Sequence, residues 1–237
     1  MKTEHALVFT CERKARAPLP DAGRLCEVLR SLPALEGDRG FDLFVPHPEH
    51  ERLALFGDGE PPFVIVECRG EDPQALRQWL DGSALRDALL QACAPAADAA
   101  AEAPQWRAGI FRVEREPVPS PRDDGAAPLS LVVHYYGPVE DPARFAAHYV
   151  ANHPPILARL PAVREVLCYV PTGAVPRMLP VDATVIRNEV RFDSMDALLA
   201  SLRSPVLADL RADTKTFPRF GRSTHYPMLR RRLVPGG

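Results

Sequence analysis

The chain has 237 residues, 46% hydrophobic and 25% charged, with 29 basic against 31 acidic side chains and a formal net charge of −2. That is the composition of an ordinary globular protein of one large or two small domains. The charge balance gives no electrostatic reason to expect nucleic acid or an anionic membrane as partner, and no apolar run approaches the roughly 20 residues of a membrane helix. Five cysteines without a C-x-x-C pair, and no signal-peptide core before the first strand, read as reduced thiols in a cytoplasmic protein.

In chain order, residues 5–11 have the β-branched and aromatic content of a strand. Asp21 opens a short helix with Leu25, Val28, Leu29 and Leu32 on one face. Strands are predicted at 40–45, stopped by Pro46, and at 63–68. A helix follows over 72–91, then an Ala/Pro-rich exposed loop over 93–105 and a strand over 106–115. Residues 117–128 have linker composition. The order then recurs. A strand at 129–135 precedes a helix opened by Asp141 and Pro142, a strong start signal. Strands at 164–170 and 184–192, a helix over 194–212 and a strand at 222–229 complete the second copy.

The repeat is also visible residue by residue. Leu32-Pro33-Ala34 answers Leu160-Pro161-Ala162, and Phe44-Val45-Pro46 answers Tyr169-Val170-Pro171. Glu67-x-Arg69 answers Glu189-x-Arg191, and Gly82-Ser83 falls opposite Ser204-Pro205 as a helix break in both copies. Matches spread over strands and helices in one order identify a tandem duplication. Each copy is a β-α-β-β-α-β, ferredoxin-like unit of the α+β class, with helices on only one face of its sheet. The copies span residues 1–116, the more degenerate one, and 129–237, joined by the linker 117–128. Packing sheet on sheet closes a fused dimeric α/β barrel whose interior is a candidate ligand cavity.

Strand alternation assigns the faces. Ile186, Asn188, Val190 and Phe192 take the helices, leaving Arg187, Glu189 and Arg191 inward. The same rule turns His134 and Tyr169 inward, so these five side chains are expected to converge. The first copy offers Thr10, Phe44, Glu67 and Arg69 at the matching places, a poorer titratable set. His153 precedes Pro154, which disfavours continued helix and places the ring at a helix break. His225 lies on the last strand with its face open to either side. Flanking arginines make Glu189 a weak base, suited to orienting a histidine or to an internal ion pair.

The segment Phe145-x-x-His148-Tyr149-x-x-x-His153-Pro154-Pro155-Ile156-Leu157-x-x-Leu160-Pro161 resembles the signature helix of the EthD family. Glu189-Val190-Arg191-Phe192-Asp193-Ser194 is similar to that family's strand end, and the resemblance covers about residues 129–229. It implies the dimeric α/β-barrel fold with no obligatory cofactor. It also implies kinship with cofactor-free isomerases, cyclases, decarboxylases and oxygenases of aromatic and polyketide compounds. The resulting expectation is a cofactor-independent enzyme for a small aromatic or lactone-like metabolite in the barrel cavity. His153, His134 and Glu189 would carry the acid–base work; Tyr169, Arg187, Arg191 and His225 would hold substrate. The alternative is a non-catalytic ligand-binding or accessory protein of a degradation or oxygenase pathway. No metal or cofactor is expected, and a homodimer would form only through outer surfaces.

Overall fold

The structure is a computed structural model that describes residues 3–12, 22–31, 40–56, 58–82, 87, 105–122, 127–174, 177 and 179–233. The first repeat contains β1 (Glu4–Glu12), α1 (Ala22–Ser31), β2 (Phe41–Pro46), a 3-10 turn (His50–Phe56), β3 (Val64–Gly70), α2 (Pro73–Asp81) and β4 (Gln105–Glu116). The second contains β5 (Leu129–Tyr136), α3 (Pro142–Leu157), β6 (Glu165–Pro171), β7 (Thr184–Phe192), α4 (Met195–Ser201), α5 (Val206–Thr214) and β8 (Arg222–Leu233). The eight predicted strands are present. Asp21 and residues 93–104 lie outside the described residues, as do 123–126 of the linker.

The strands close into one antiparallel barrel in the order β1-β3-β2-β8-β5-β7-β6-β4. Each repeat keeps the ferredoxin-like order, β4-β1-β3-β2 and β8-β5-β7-β6, and the two sheets join through β2–β8 and β6–β4. The expected fused barrel is therefore formed within one chain. Alternation sorts the side chains as hydrophobic burial requires. Outward residues of the first repeat pack under α1 and α2 around Leu7, Phe9, Leu25 and Leu76. Those of the second pack under its helices around Leu131, Tyr135, Phe145 and Ile186. Inward residues of both repeats form a third cluster, including Val8, Phe44, Ile65, Phe111, Leu167, Tyr169 and Met228. Among the described residues, this cluster packs the middle of the barrel interior.

Three local features position the sites. Asp141 caps α3 by accepting from the Arg144 N–H at 2.9 Å, with Pro142 in the first turn where no N–H is needed. The helix expected over 72–91 has its first segment end at Asp81, where Gly82 turns extended (φ −66°, ψ 142°); that over 194–212 is interrupted between α4 and α5. The break at His153 does not occur. Helix α3 runs through Pro154 and Pro155 to Leu157, because the proline φ suits a helix and the Ala158 N–H still reaches the Pro154 carbonyl at 2.9 Å.

Candidate functional site

At one end of the barrel interior the inward charged residues form a densely paired cluster. The Tyr169 hydroxyl lies 2.7 Å from Glu189 Oε2 and 3.1 Å from Glu67 Oε1, and accepts from Arg69 at 3.0 Å. Arg191 Nε donates to Glu189 at 2.6 Å, as does the Ser130 hydroxyl; Arg69 Nε donates to Glu67 at 2.6 Å and Arg187 Nη1 at 3.1 Å. Arg191 and Arg115 both contact Glu165. The Arg187 guanidinium lies 4.4 Å from the Tyr169 ring centroid, so the arginine occupies the face on which a ligand ring would stack.

Burial alone would raise the carboxyl pKa of Glu189, but the charge and hydrogen bonds of Arg191, joined by Arg187, hold it well below the usual range. Glu67 is likewise lowered, burial being overcome by Arg69 and Arg187. Burial pushes the Tyr169 phenol well above its ordinary value. Two carboxylates kept ionised and a phenol kept protonated, all with their bonds made, have little to offer as proton carriers near neutrality.

His134 borders this cluster, with Arg187 between it and Tyr169. It is opposite Arg187 on β7 and Thr224 on β8. Its Nδ1 pairs with the Tyr136 hydroxyl at 3.1 Å. Burial, opposed by Asp182 and assisted by Arg187 and Arg222, lowers its pKa to about 4, so the ring is neutral at physiological pH. Asp182 belongs to a segment that bridges β4 by an isolated parallel pairing of Val181 with Ala108. Its carboxylate accepts from Thr184 N and Oγ1 at 2.9 and 2.6 Å.

His153 and His225 are both outside the barrel wall. His153 Nδ1 lies 2.8 Å from Asp213 on α5, its ring packed against Tyr149 and Phe217 at centroid distances of 4.9 and 5.2 Å. Burial lowers its pKa, with Asp213 opposing and His225 adding to the fall. His225 takes the outward face of β8, where its N–H and Nδ1 meet Asp58 at 2.7 and 2.9 Å. The structure thus brings Tyr169, Glu189, Arg187 and Arg191 together, sets His134 on the other side of Arg187 in the same interior, and places His153 and His225 behind the sheet.

A groove of about 850 Å³ lies on the outer face of the second repeat, and sequence reasoning passed over it. One wall is α3, through Ala143, Ala146, Ala147, Val150 and Ala151; the other is the end of β6 and the start of β7, through Val170 and Val185. Arg112, Thr172, Asp182 and Thr184 supply polar groups. The signal was present in the sequence: alanines at helical spacing stand where leucines would close a helix onto a sheet. Among the described residues, no cluster of three or more His, Cys, Asp or Glu could hold a metal ion, and no helix is long and apolar enough to cross a membrane.

No protein-family model matches the chain, and no curated protein matches it. Solved structures do. An anthrone oxidase-like protein aligns at 10% identity over 100% of this chain and 97% of its own, with a TM-score of 0.62. A candidate monooxygenase from Fusobacterium nucleatum aligns at 10% identity over 99% of this chain and 95% of its own, with a TM-score of 0.54. The fold is the dimeric α/β barrel, closed within one chain. An EthD family protein from Bacillus halodurans covers 42% of this chain and 95% of itself at 21% identity, with a TM-score of 0.36. Identities this low establish the fold of this barrel and leave its chemistry open.

Proposed function

We propose that this barrel binds a small, partly apolar metabolite of aromatic-ring size in the outer groove of its second repeat, as a ligand-binding or accessory protein. The carrying observation is the groove itself: about 850 Å³, apolar along its length, with its few polar groups supplied by Arg112, Thr172, Asp182 and Thr184. That volume falls in the range of roughly 300–1,000 Å³ typical of small-molecule sites. An acidic or carbonyl substituent on the ligand would meet Arg112 or Thr172, and the ring would lie on the alanine face of α3.

Binding is favoured over acid–base turnover in this groove by what lines it. None of His134, His153, Glu189, Tyr169, Arg187, Arg191 or His225 does so, and Asp182 is already held by Thr184.

The test is fluorescence titration with 1-anilinonaphthalene-8-sulfonate, an aromatic anion, on wild type and Ala147→Trp. Ala147 is solvent-facing on α3, so the indole fills the groove without disturbing the core. Saturable 1:1 binding lost in a variant of unchanged melting temperature is expected. Equal binding by both proteins would overturn the reading.

A further inference from the structure

The barrel end away from the ion-pair cluster carries a second, smaller pocket of about 250 Å³, between the ends of β1, β5 and β8 and residues 58–62. Thr10 and His134 line it, only 6% and 2% exposed, with Tyr136, Tyr226, Pro61 and Pro62 beside them. Thr10 Oγ1 and His134 Nε2 are buried with no hydrogen-bond partner. Arg187, in register with His134, adds a buried Nε and Nη2 in the same condition. Folded proteins satisfy nearly all buried polar atoms, so two unsatisfied ones in the lining of one pocket mark a place for a polar guest.

The charges around the pocket narrow the guest. Glu12, Asp58 and Glu60 line it against Arg222. Glu12 is paired with Arg107 at 3.1 Å, Asp58 with His225, and Glu60 is engaged as well. The Arg222 guanidinium lies over the Tyr136 ring, 4.5 Å from its centroid. Of the charged side chains that line the pocket itself, three are carboxylates and one is an arginine, which favours an uncharged guest over an anion. The groups left over in the lining can donate: the Thr10 hydroxyl and, when the Tyr136 hydroxyl donates to Nδ1, the His134 Nε2–H. An uncharged guest that presents an oxygen acceptor satisfies both conditions, and Pro61, Pro62 and Tyr226 offer it an apolar wall.

We propose that this pocket is a second ligand site, taking the carbonyl end of a small uncharged ring, with His134 Nε2–H and the Thr10 hydroxyl as donors. It shares no lining residue with the outer groove.

Long-range 1H–15N NMR of the full chain, labelled at histidine nitrogen and assigned through His134→Gln, tests the site directly. Acetophenone is the probe; benzoate, charged at the same place, and ethylbenzene, lacking the oxygen, are the controls. Acetophenone is expected to shift the His134 ring nitrogens saturably, with both controls at least tenfold weaker. Thr10→Val, on the strand across the pocket, should weaken acetophenone at least fivefold, while Ala147→Trp should leave it unchanged. A His134 signal unmoved up to the solubility limit overturns the site. Ethylbenzene binding as well as acetophenone would make it merely apolar, and benzoate binding more tightly would make it an anion site; either overturns the proposal. An effect of Ala147→Trp equal to that of Thr10→Val would assign the signal to the groove and overturn it too.

Discussion

The two ends of one barrel interior use similar side chains to opposite effect. At the Glu189 end, each charged group meets a partner of the other sign or a hydroxyl, and the two repeats interlock through Tyr169, Glu67 and Arg69. At the His134 end, Thr10 Oγ1, His134 Nε2 and two nitrogens of Arg187 are buried and unsatisfied. Arg187 spans both conditions: its Nη1 belongs to the cluster and its remaining nitrogens to the other layer. Burial of charge is therefore a poor guide to a site. Satisfaction of hydrogen bonds separates a structural cluster from a place prepared to receive something.

The largest effect expected from this contrast is that of Glu189→Gln. Removing one charge from a buried cluster strands the others, and here Arg191 loses a two-point partner. A loss of about 3–5 kcal/mol is expected, read by urea unfolding at neutral pH. Acetophenone and anilinonaphthalene sulfonate affinities of the folded fraction should not change. Wild-type stability in this variant would mean that the paired end does not hold the repeats together.

Acid should act on the other end. The folded pKa of His134 is depressed to about 4, and that of His153 is also lowered, both through burial. Below the unfolded value of about 6.5 the unfolded chain takes up protons that the folded chain refuses. Stability should therefore be complete above about pH 6.5 and fall as pH drops towards 4, where the folded His134 also protonates. At about 1.4 kcal/mol per unit, His134 accounts for roughly 3 kcal/mol of that fall. His134→Gln should flatten the profile between those limits, leaving the part due to His153. A profile identical to wild type would show that His134 does not stay neutral in the fold.

The contrast between the ends was only half legible in the sequence. Alternation places Arg187, Glu189 and Arg191 on the inner face without error, since one residue of slip would turn them into the helix layer. The tandem repeat supplies the second sheet that encloses them. Alternation does not report height along the barrel axis, so His134 reads as a neighbour of Glu189 although Val132, not His134, is the residue paired with Glu189 across β5 and β7. His153 misled for a different reason: a proline after it suggested a break, whereas the helix continues and carries the ring behind the sheet to Asp213. The groove was missed because it is made of what is absent, side chains larger than alanine on one face of α3.

A matched pair of conservative changes gives the smallest effect and separates the ends most cleanly. Tyr169→Phe removes one hydroxyl from the paired end and leaves Arg69 Nη2 without its acceptor and one carboxylate, Glu189 at the shorter distance, without its donor. That costs about 1–3 kcal/mol, the desolvation penalty of groups left unpaired. Thr10→Val removes a hydroxyl that has no partner while keeping the shape of the side chain. No bond is broken and one buried polar atom is deleted, so stability should change by less than about 0.5 kcal/mol or rise slightly. In the presence of saturating acetophenone the order of the two effects should narrow, because wild type gains ligand stabilisation that Thr10→Val cannot match. Urea midpoints with and without the probe measure all four values. A destabilisation by Thr10→Val as large as that by Tyr169→Phe would mean that Thr10 is already paired, and the two ends would no longer differ in kind.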